Sequence, residues 1–390
     1  MRRGFVATSA VMAKKLLGGG ISLSKARALY KLGKSYLVVN ALKRPKIQYL
    51  EIMSTYACNA HCTHCSNERY LWKDPALKLT VEKIRDIIRQ ARDMDVPVIA
   101  FLGGEPLLDG DLCEYIRFAR KCGILPFVCS NGQLLNDTTL ARIKQSGLFC
   151  FAITVYSTDP AENEAITGIK GYLDTCLENF ERGQAAGVQM MLKYVVTRQH
   201  FESGEIHRVI NLAKRLDTWL SINPIVPTGQ AHSQHREDVL DEPLQRELDE
   251  LCRQLPFLTT HWTSNYFGYG CPAGKAYLGI TPYGDVLACY FLPIAFGNIW
   301  ESSLKDIHRR ITKTPVFRDP YPGCFAAYNR DAIEAAISPC FTDASLLSRL
   351  PVNVEDHPLY DPADDVLALR FTSDAASLRH RSGGLLPSTG

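Results

Sequence analysis

From Ile47 onward, short apolar runs alternate with amphipathic stretches along the chain. The run from Ile47 to Met53 predicts a first strand. The stretch from Thr80 to Met94 predicts a helix, because its apolar residues recur every three or four positions behind Thr80, a favourable N-cap. Val98 to Leu102 then has the continuous apolar character of a buried strand.

The same alternation predicts four more strands, at 125–129, 149–156, 189–196 and 218–223, and further helices near 111–121, 137–145, 172–186 and 206–215. Parallel strands need crossover connections, which are usually helices. Six strands alternating with helices therefore predict an α/β fold, a partial (β/α)6 TIM-like barrel.

The pattern changes after residue 226. A polar segment, 227–238, predicts a linker, and the next helix carries Leu244, Leu248, Leu251 and Leu255 on one stripe. A smaller α+β unit rich in Gly, Tyr and Cys follows. The expected organisation is a basic helical extension at 1–46, a core barrel at 47–226, a linker and helix at 227–261, the small unit at 262–341 and a mobile tail at 342–390.

Composition excludes a disordered chain, because 46% of the 390 residues are hydrophobic and 22% are charged. The net charge of +3 conceals an asymmetry. Residues 1–46 hold 11 of the 44 Lys and Arg residues and no Asp or Glu, so the remainder is acidic. A basic arm of this kind indicates an anionic surface or partner.

The arm does not have the pattern of a cleaved signal peptide, because Lys14 and Lys15 interrupt its apolar stretch. No run of about 18 uncharged apolar residues occurs, so we expect a cytoplasmic protein. Leu23, Ala26, Tyr30 and Leu37 with neighbouring lysines can form a basic amphipathic helix in peripheral contact with the inner membrane face. The alternative is a helix packed across the barrel mouth with its lysines in solvent.

Thirteen cysteines are too dilute for a small disulfide scaffold, and their clustering indicates metal ligation in a reducing compartment. Cys58, Cys62 and Cys65 form a C-x3-C-x2-C triplet directly after the first strand. Thiolates select zinc or iron-sulfur clusters. Either His61 or His64 can complete a zinc tetrahedron, or a cluster can keep one iron open for a ligand.

A second motif, Gly103-Gly104-Glu105-Pro106, follows the second predicted strand. Two glycines let the backbone approach a ligand closely, and an acidic side chain is a partner for an ammonium group. Alone, this tetrapeptide predicts only a turn.

Together the two motifs resemble those of the radical S-adenosylmethionine (radical SAM) superfamily, over about residues 47–226. The resemblance implies a [4Fe-4S] cluster on Cys58, Cys62 and Cys65. It also implies S-adenosyl-L-methionine as a cofactor. The residues that the resemblance assigns to that cofactor are Gly103, Gly104, Glu105, Pro106, Ser130, Asn131, Thr154 and Ser157.

The 262–341 unit contains Cys271, then Gly284 and Cys289 in a C-x12-G-x4-C arrangement, and later Cys324 and Cys340. This resembles the SPASM and twitch extensions of the superfamily, which hold auxiliary iron-sulfur clusters. The C-x2-C-x5-C-x3-C block of a full SPASM extension is missing. The resemblance therefore implies one auxiliary cluster on these four cysteines, with the last two assigned because they are the cysteines that remain.

Six cysteines lie outside both groups, and we interpret them as small buried hydrophobes: Cys113, Cys122, Cys129, Cys150, Cys176 and Cys252. Cys129 is also a candidate hydrogen-atom donor, because it lies next to a predicted cofactor turn.

The resemblance implies an oxidoreductase or epimerase that abstracts hydrogen from a small-molecule, sugar or lipid-linked substrate. Its expected electron donor is a flavodoxin or ferredoxin, and no nucleic-acid partner is expected. Two alternatives stay open at this point. One is a ribosomal-peptide maturase of the SPASM type, and the other is a non-catalytic iron-sulfur or zinc protein.

Overall fold

A computed structural model describes residues 30–369 except 32, 36, 43, 68–74, 261–269, 320–322 and 329–333. The strands are β1 Tyr49–Thr55, β2 Val98–Gly103, β3 Leu125–Ser130, β4 Cys150–Val155, β5 Met190–Val196, β6 Trp219–Pro224, β7 Leu258–Thr259, β8 Tyr277–Ile280, β9 Asp285–Leu287, β10 Ile294–Asn298, β11 Val352–Asn353, β12 Tyr360–Asp361 and β13 Val366–Leu367. The α-helices are α1 Val81–Asp93, α2 Leu112–Lys121, α3 Asp137–Gln145, α4 Pro160–Thr167, α5 Tyr172–Ala185, α6 Arg198–Glu202, α7 Glu205–Arg215, α8 Gln230–Gln234, α9 Glu242–Gln254, α10 Leu304–Ile311, α11 Pro315–Arg318, α12 Phe325–Tyr328, α13 Ser338–Thr342 and α14 Ala344–Leu347.

Strands β1 to β6 lie side by side in chain order, and every neighbouring pair is parallel. Helices connect them, and the apolar faces of α1, α2, α5 and α7 are buried. The predicted α/β fold with a partial barrel is confirmed. Thr80 caps α1 as expected, since its hydroxyl accepts a hydrogen bond from the Lys83 amide at 3.1 Å.

The amino ends of the strands are closed by a small apolar cluster inside the barrel. Val98 and Leu125 are buried there, and Tyr49, Phe127 and Phe149 pack against them. Ligands of parallel sheets bind beyond the carboxyl ends of the strands. Those ends therefore form the open side of this barrel.

Two helices of the barrel were not predicted. Helix α4 has a weak apolar stripe, and α6 has only five residues, so neither has a clear helical period. The predicted linker at 227–238 also contains the short helix α8. Both α4 and α8 contact the cysteine loop described below.

The small C-terminal unit extends the barrel sheet and does not form a separate one. Strand β8 pairs in parallel with β1, and β9 and β10 continue antiparallel to it. The prediction of a mobile tail from residue 342 is wrong as far as residue 369. Strand β11 pairs with β10, and β12 and β13 form a hairpin. Residues 370–390 lie outside the described part of the chain.

Most of the basic extension, including Leu23 and Ala26, lies outside the described residues. Its described end packs at the amino ends of the strands, where Lys46 Nζ donates to the Met94 carbonyl at 2.9 Å and Lys34 Nζ contacts Asp95. The described part of the extension therefore does not lie across the barrel mouth, as the alternative expected. None of the described helices is both long and apolar enough to cross a bilayer.

Candidate active site

The cysteine triplet lies in the loop that follows β1, at the open end of the barrel. Cys58 is exposed, and Cys62 and Cys65 are half-buried. Helix α4 fixes this loop, because the amides of His61 and Thr63 donate to the last carbonyls of that helix at 3.0 Å each. Helix ends leave carbonyls without intrahelical partners, so the loop satisfies groups that would otherwise need water.

The two glycines of the second motif pack against the strand that leads into the triplet. The Gly104 amide donates to the Thr55 carbonyl at 2.8 Å, and a Cβ at Gly104 would lie 2.3 Å from the Ala57 carbonyl oxygen. Both glycines also line the cavity. The two glycines are therefore needed because two backbone segments touch here. This reason adds to the one expected from the sequence, which was the close approach of a ligand.

Glu105 is fully buried, and three donors contact its carboxylate. Ser130 Oγ donates to Oε1 at 2.8 Å, the Leu107 amide to Oε1 at 3.0 Å, and the Asn131 amide to Oε2 at 2.8 Å. Burial raises the pKa of this carboxyl, and the three donors oppose that rise. The carboxylate joins the end of β2 to the end of β3. This contact set supports a positioning role, beside the expected role as an ammonium partner.

The remaining residues assigned to the cofactor separate into two groups. Ser130, Asn131 and Thr154 line the cavity. Pro106 and Ser157 are buried and are not among the residues that line it. Ser157 Oγ instead accepts a hydrogen bond from the Asp159 amide at 3.0 Å, which caps the turn before α4.

The cavity encloses about 1100 Å³ including its mouth, and it reaches from the cysteine loop into the barrel. The site residues expected from the sequence omit several side chains of the cavity wall, which are His64, Tyr156, Lys193, Asn223, Tyr290 and Phe291. The Tyr156 hydroxyl oxygen lies 3.6 Å from Cys62 Sγ, and the Tyr156 ring packs edge-on against His64. Three of these side chains had a sequence signal. Tyr156 and Asn223 lie at the ends of predicted strands, and Lys193 is a charge at an inward position of an otherwise apolar strand.

Neither histidine of the triplet forms a zinc site with it. His61 is exposed, and the His64 ring packs edge-on against Tyr156. Within the described residues, no three His, Cys, Asp or Glu side chains converge as one metal ion requires. A four-iron cluster takes each cysteine on a different iron, so its ligands stand apart. Three thiols on one short loop beside an open cavity fit such a cluster.

A second, smaller cavity lies under the C-terminal unit and has a volume of about 410 Å³ including its opening. Cys271, Cys289 and Cys324 line it, and the other lining residues are Pro224, Pro272, Ala273, Tyr277, Tyr290 and Phe291. Burial raises the pKa of the Cys289 and Cys324 thiols. Pro224, Tyr290 and Phe291 belong to the walls of both cavities, so the two cavities are neighbours. Three thiols in an apolar chamber have the donor chemistry of an iron-sulfur site.

Cys340 is not in the wall of this second cavity. Its buried thiol donates to the Ala336 carbonyl at 3.6 Å, within the turn that leads into α13. The structure thus brings together three of the four cysteines assigned to the auxiliary cluster. The assignment of Cys340 stays a prediction that this placement does not support.

Gly284 shapes the hairpin that carries Cys289. It has a φ of +89°, and a Cβ there would lie 2.8 Å from Asn298 Oδ1. Asn298 Nδ2 donates to the Tyr283 carbonyl and to Asp285 Oδ1, both at 3.0 Å. The glycine in the C-x12-G-x4-C pattern is therefore needed for the turn between β8 and β9.

The six other cysteines lie as follows: Cys150, Cys176 and Cys252 are buried, and Cys113, Cys122 and Cys129 are half-buried. Only Cys129 among these six lines the first cavity. Burial raises the pKa of its thiol against the opposing charge of Lys193. The thiol therefore retains its proton near neutral pH, as a hydrogen-atom donor must.

Comparison with known proteins gives a family match for each of the two regions that carry the cavities. A model of the radical SAM superfamily matches residues 52–210, and a model of the SPASM iron-sulfur cluster-binding domain matches residues 271–340. The AdoMet-dependent heme synthase of Nitratidesulfovibrio vulgaris is 24% identical over 294 residues, which cover 68% of this chain and 79% of that protein.

Solved structures show the same fold. Streptococcus suis SuiB, crystallised with the precursor peptide SuiA, has a TM-score of 0.55 at 19% identity, covering 75% of this chain and 71% of SuiB. The anSMEcpe structure with bound AdoMet has a TM-score of 0.52 at 16% identity, covering 66% of this chain and 79% of that one. At these identities the likeness concerns architecture.

Proposed function

Because the chain belongs to the radical SAM superfamily and carries a SPASM domain, we propose that it is an enzyme that removes a hydrogen atom from a small organic substrate. Its cofactors are [4Fe-4S] clusters and S-adenosylmethionine. When bound together, these cofactors supply a one-electron cleavage that yields a 5′-deoxyadenosyl radical. The outcome we propose is oxidation or epimerisation, with a flavodoxin or ferredoxin as reductant.

The observation that carries this proposal is the shared wall of the two cavities. The Cys58 loop and Gly103 line the first cavity, and Tyr290 and Phe291 line both this cavity and the second. A substrate held in the first cavity is close to both proposed clusters. The barrel walls surround the inner part of the cavity, which limits contact between a radical and solvent.

We assign the first cluster to Cys58, Cys62 and Cys65, and the auxiliary cluster to Cys271, Cys289 and Cys324. Gly103, Gly104, Ser130, Asn131 and Thr154 are placed to contact S-adenosylmethionine. Glu105 positions the ends of β2 and β3 from behind this wall. These assignments rest on which side chains line each cavity.

The relatives support two substrate classes. The heme synthase of N. vulgaris favours a small metabolite. SuiB with its bound precursor peptide supports peptide modification as a second candidate. We favour the small metabolite, because the inner part of the cavity is bounded by strands and by Tyr290, where a polypeptide would have to enter end-on.

A fractionation experiment tests this choice. The reconstituted enzyme, S-adenosylmethionine and dithionite are incubated anaerobically with the small-molecule fraction or the peptide fraction of a cell extract. We expect only the small-molecule fraction to raise the yield of 5′-deoxyadenosine above the background without substrate. Stimulation by the peptide fraction alone would establish the second candidate.

We also propose peripheral contact with anionic membranes through the basic extension. Within its described part, Tyr30, Leu37 and Leu42 are 70%, 57% and 56% exposed. Large apolar side chains beside lysines are typical of interfacial binding. Such contact would suit a lipid-linked substrate.

A further inference from the structure

The inner face of the barrel is apolar at the amino ends of the strands and carries polar side chains closer to the cofactor end. Successive residues of a strand point to opposite faces, so Glu51 on β1, Cys129 on β3 and Lys193 on β5 face one another across the interior. Their electrostatic coupling agrees with this placement, since Lys193 interacts with both Glu51 and Cys129. A polar layer thus lies above the cluster formed by Val98 and Leu125.

The Lys193 ammonium group has few partners in this layer. Its Nζ donates to Cys129 Sγ at 3.7 Å, and a thiol is a weak acceptor. Among the described residues, no carboxylate lies within 4.0 Å of this ammonium. Glu51 accepts a hydrogen bond from the Tyr277 hydroxyl, which occupies one of its oxygens. Lys193 is half-buried at the cavity wall, and an ammonium group with three donors and one weak protein acceptor is stabilised when an anion joins it.

Lys193 also borders the space in which a substrate must bind. It lines the cavity together with Cys129, Thr154 and Asn223. It pairs with Thr154 and lies three positions before Val196, where β5 ends, so it is deeper than the Gly103 turn at the end of β2. No other Lys or Arg belongs to the described wall of this cavity.

We propose that Lys193 binds a carboxylate group of the substrate. This inference rests on the proposed function and deepens it by naming a substrate class, an organic acid. A single ammonium group balances one negative charge, so a carboxylate fits better than a phosphate dianion. The bound carboxylate would hold the rest of the substrate between Cys129 and the cluster loop.

Thiol labelling tests the proposal without any turnover. The reconstituted full-length protein is treated anaerobically with methyl methanethiosulfonate, and the labelling rate of the Cys129 peptide is measured by mass spectrometry. The probe is sodium propionate, and the control is propionamide at matched ionic strength. Propionate should neutralise Lys193, raise the thiol's proton affinity and slow the labelling by about tenfold, whereas propionamide should not. Cys113, which does not line the cavity, is the internal reference.

The variant Lys193→Met should abolish the propionate effect, and Lys193→Arg should retain part of it. Lys193→Gln provides a second neutral variant if Lys193→Met does not fold.

Thermal unfolding with the same two probes gives a readout that needs no reagent access, because a bound anion stabilises the folded state. Propionate should raise the melting temperature of the wild type more than propionamide does, and should lose this advantage in the neutral variants.

The carboxylate that binds Lys193 could also be that of S-adenosylmethionine. Two measurements distinguish this carboxylate from one on the substrate. Saturating S-adenosylmethionine should leave the propionate effect in place. Its dissociation constant, from anaerobic equilibrium dialysis, should change by less than about twofold in Lys193→Met. A weakening of about tenfold or more would assign Lys193 to the cofactor and overturn the proposal. So would a propionate effect that is equal in wild type and Lys193→Met, or absent from both readouts. None of these results depends on radical chemistry, so failure here is distinct from failure of the proposed function.

Discussion

Gly229 and Cys65 are in direct backbone contact at the start of helix α8. A Cβ at position 229 would lie 2.4 Å from the Cys65 carbonyl oxygen, and the Gln230 amide donates to that oxygen at 2.9 Å. The segment after the sixth barrel strand therefore supports the cysteine loop from the side opposite helix α4.

Gly229→Ala should displace the cysteine loop and lower the iron bound at the barrel site. Gly187→Ala is the control for a positive φ without a steric clash, because a Cβ at 187 meets nothing within 4 Å, whereas Gly229 combines a φ of +61° with a ψ of −132°. The control carries only the left-handed backbone cost, about 1 kcal/mol. Iron analysis and thermal unfolding check the pair. Equal iron content in the two variants would contradict a supporting role for Gly229.

The auxiliary site should lose its cluster when a cavity cysteine is removed. Wild type should bind about eight irons, and Cys271→Ala, Cys289→Ala or Cys324→Ala should each retain about four. Cys340→Ala should keep the full content, because its thiol contacts the Ala336 carbonyl and not the cavity. Loss of about four irons from Cys340→Ala would show that it is the fourth ligand after all.

Glu51→Gln should change the pH dependence of stability in a defined direction. Burial raises the pKa of Glu51 above its ordinary value of 4.5, although Lys193 and the Tyr277 hydroxyl oppose the rise. A raised folded-state pKa stabilises the protein below the unfolded-state pKa, and that stability is lost as pH rises through the folded-state pKa. The melting temperature of Glu51→Gln minus that of wild type should therefore become more positive as pH rises above the ordinary value of 4.5.

Glu205→Gln is a matched control with the opposite sign. Burial raises the pKa of Glu205, but hydrogen bonds from Thr158 and Arg208 outweigh this effect and hold the pKa below its ordinary value. Wild type should gain stability over Glu205→Gln as pH rises from acid, because the carboxylate is favoured in the folded state. Slopes of the same sign in both variants would contradict the conclusion that burial in the barrel interior raises the pKa of Glu51.

Membrane contact should depend on the exposed apolar residues of the basic extension. Replacing Tyr30, Leu37 and Leu42 together by Ser should reduce co-sedimentation with phosphatidylglycerol vesicles, while phosphatidylcholine vesicles should bind neither protein. Trp300→Ser, at a position 45% exposed on another surface, is the control and should bind as wild type does. Absence of wild-type binding to the anionic vesicles would remove the membrane proposal.

The barrel and its cysteine loop were predictable because their signals are local. Helix α3 occurs at the predicted residues 137–145, and Cys58, Cys62 and Cys65 follow β1 directly. Contacts between distant segments were not predictable. The role of Glu105 depends on donors from Ser130 and Asn131, which meet it only after β2 and β3 pair.

The C-terminal unit shows the same limit. Cys340 was assigned because it remained after the other cysteines, and its position depends on the path of a turn that carries no sequence signal. Strand β11 has two residues, too few for a period, yet it completes one edge of the main sheet. Lys193 was detectable in principle, because a lysine at an inward position of a strand reading Met-Met-Leu-Lys-Tyr-Val-Val needs a reason.

The most direct test of the central claim is 5′-deoxyadenosine formation by the reconstituted protein under anaerobic conditions with dithionite and S-adenosylmethionine. Cys113→Ala is the control for a cysteine outside both cavities. Wild type and Cys113→Ala should release 5′-deoxyadenosine and methionine in equal amounts, and Cys62→Ala should release neither. A wild-type protein that binds its iron and leaves S-adenosylmethionine uncleaved would contradict the account and favour a non-catalytic iron-sulfur protein.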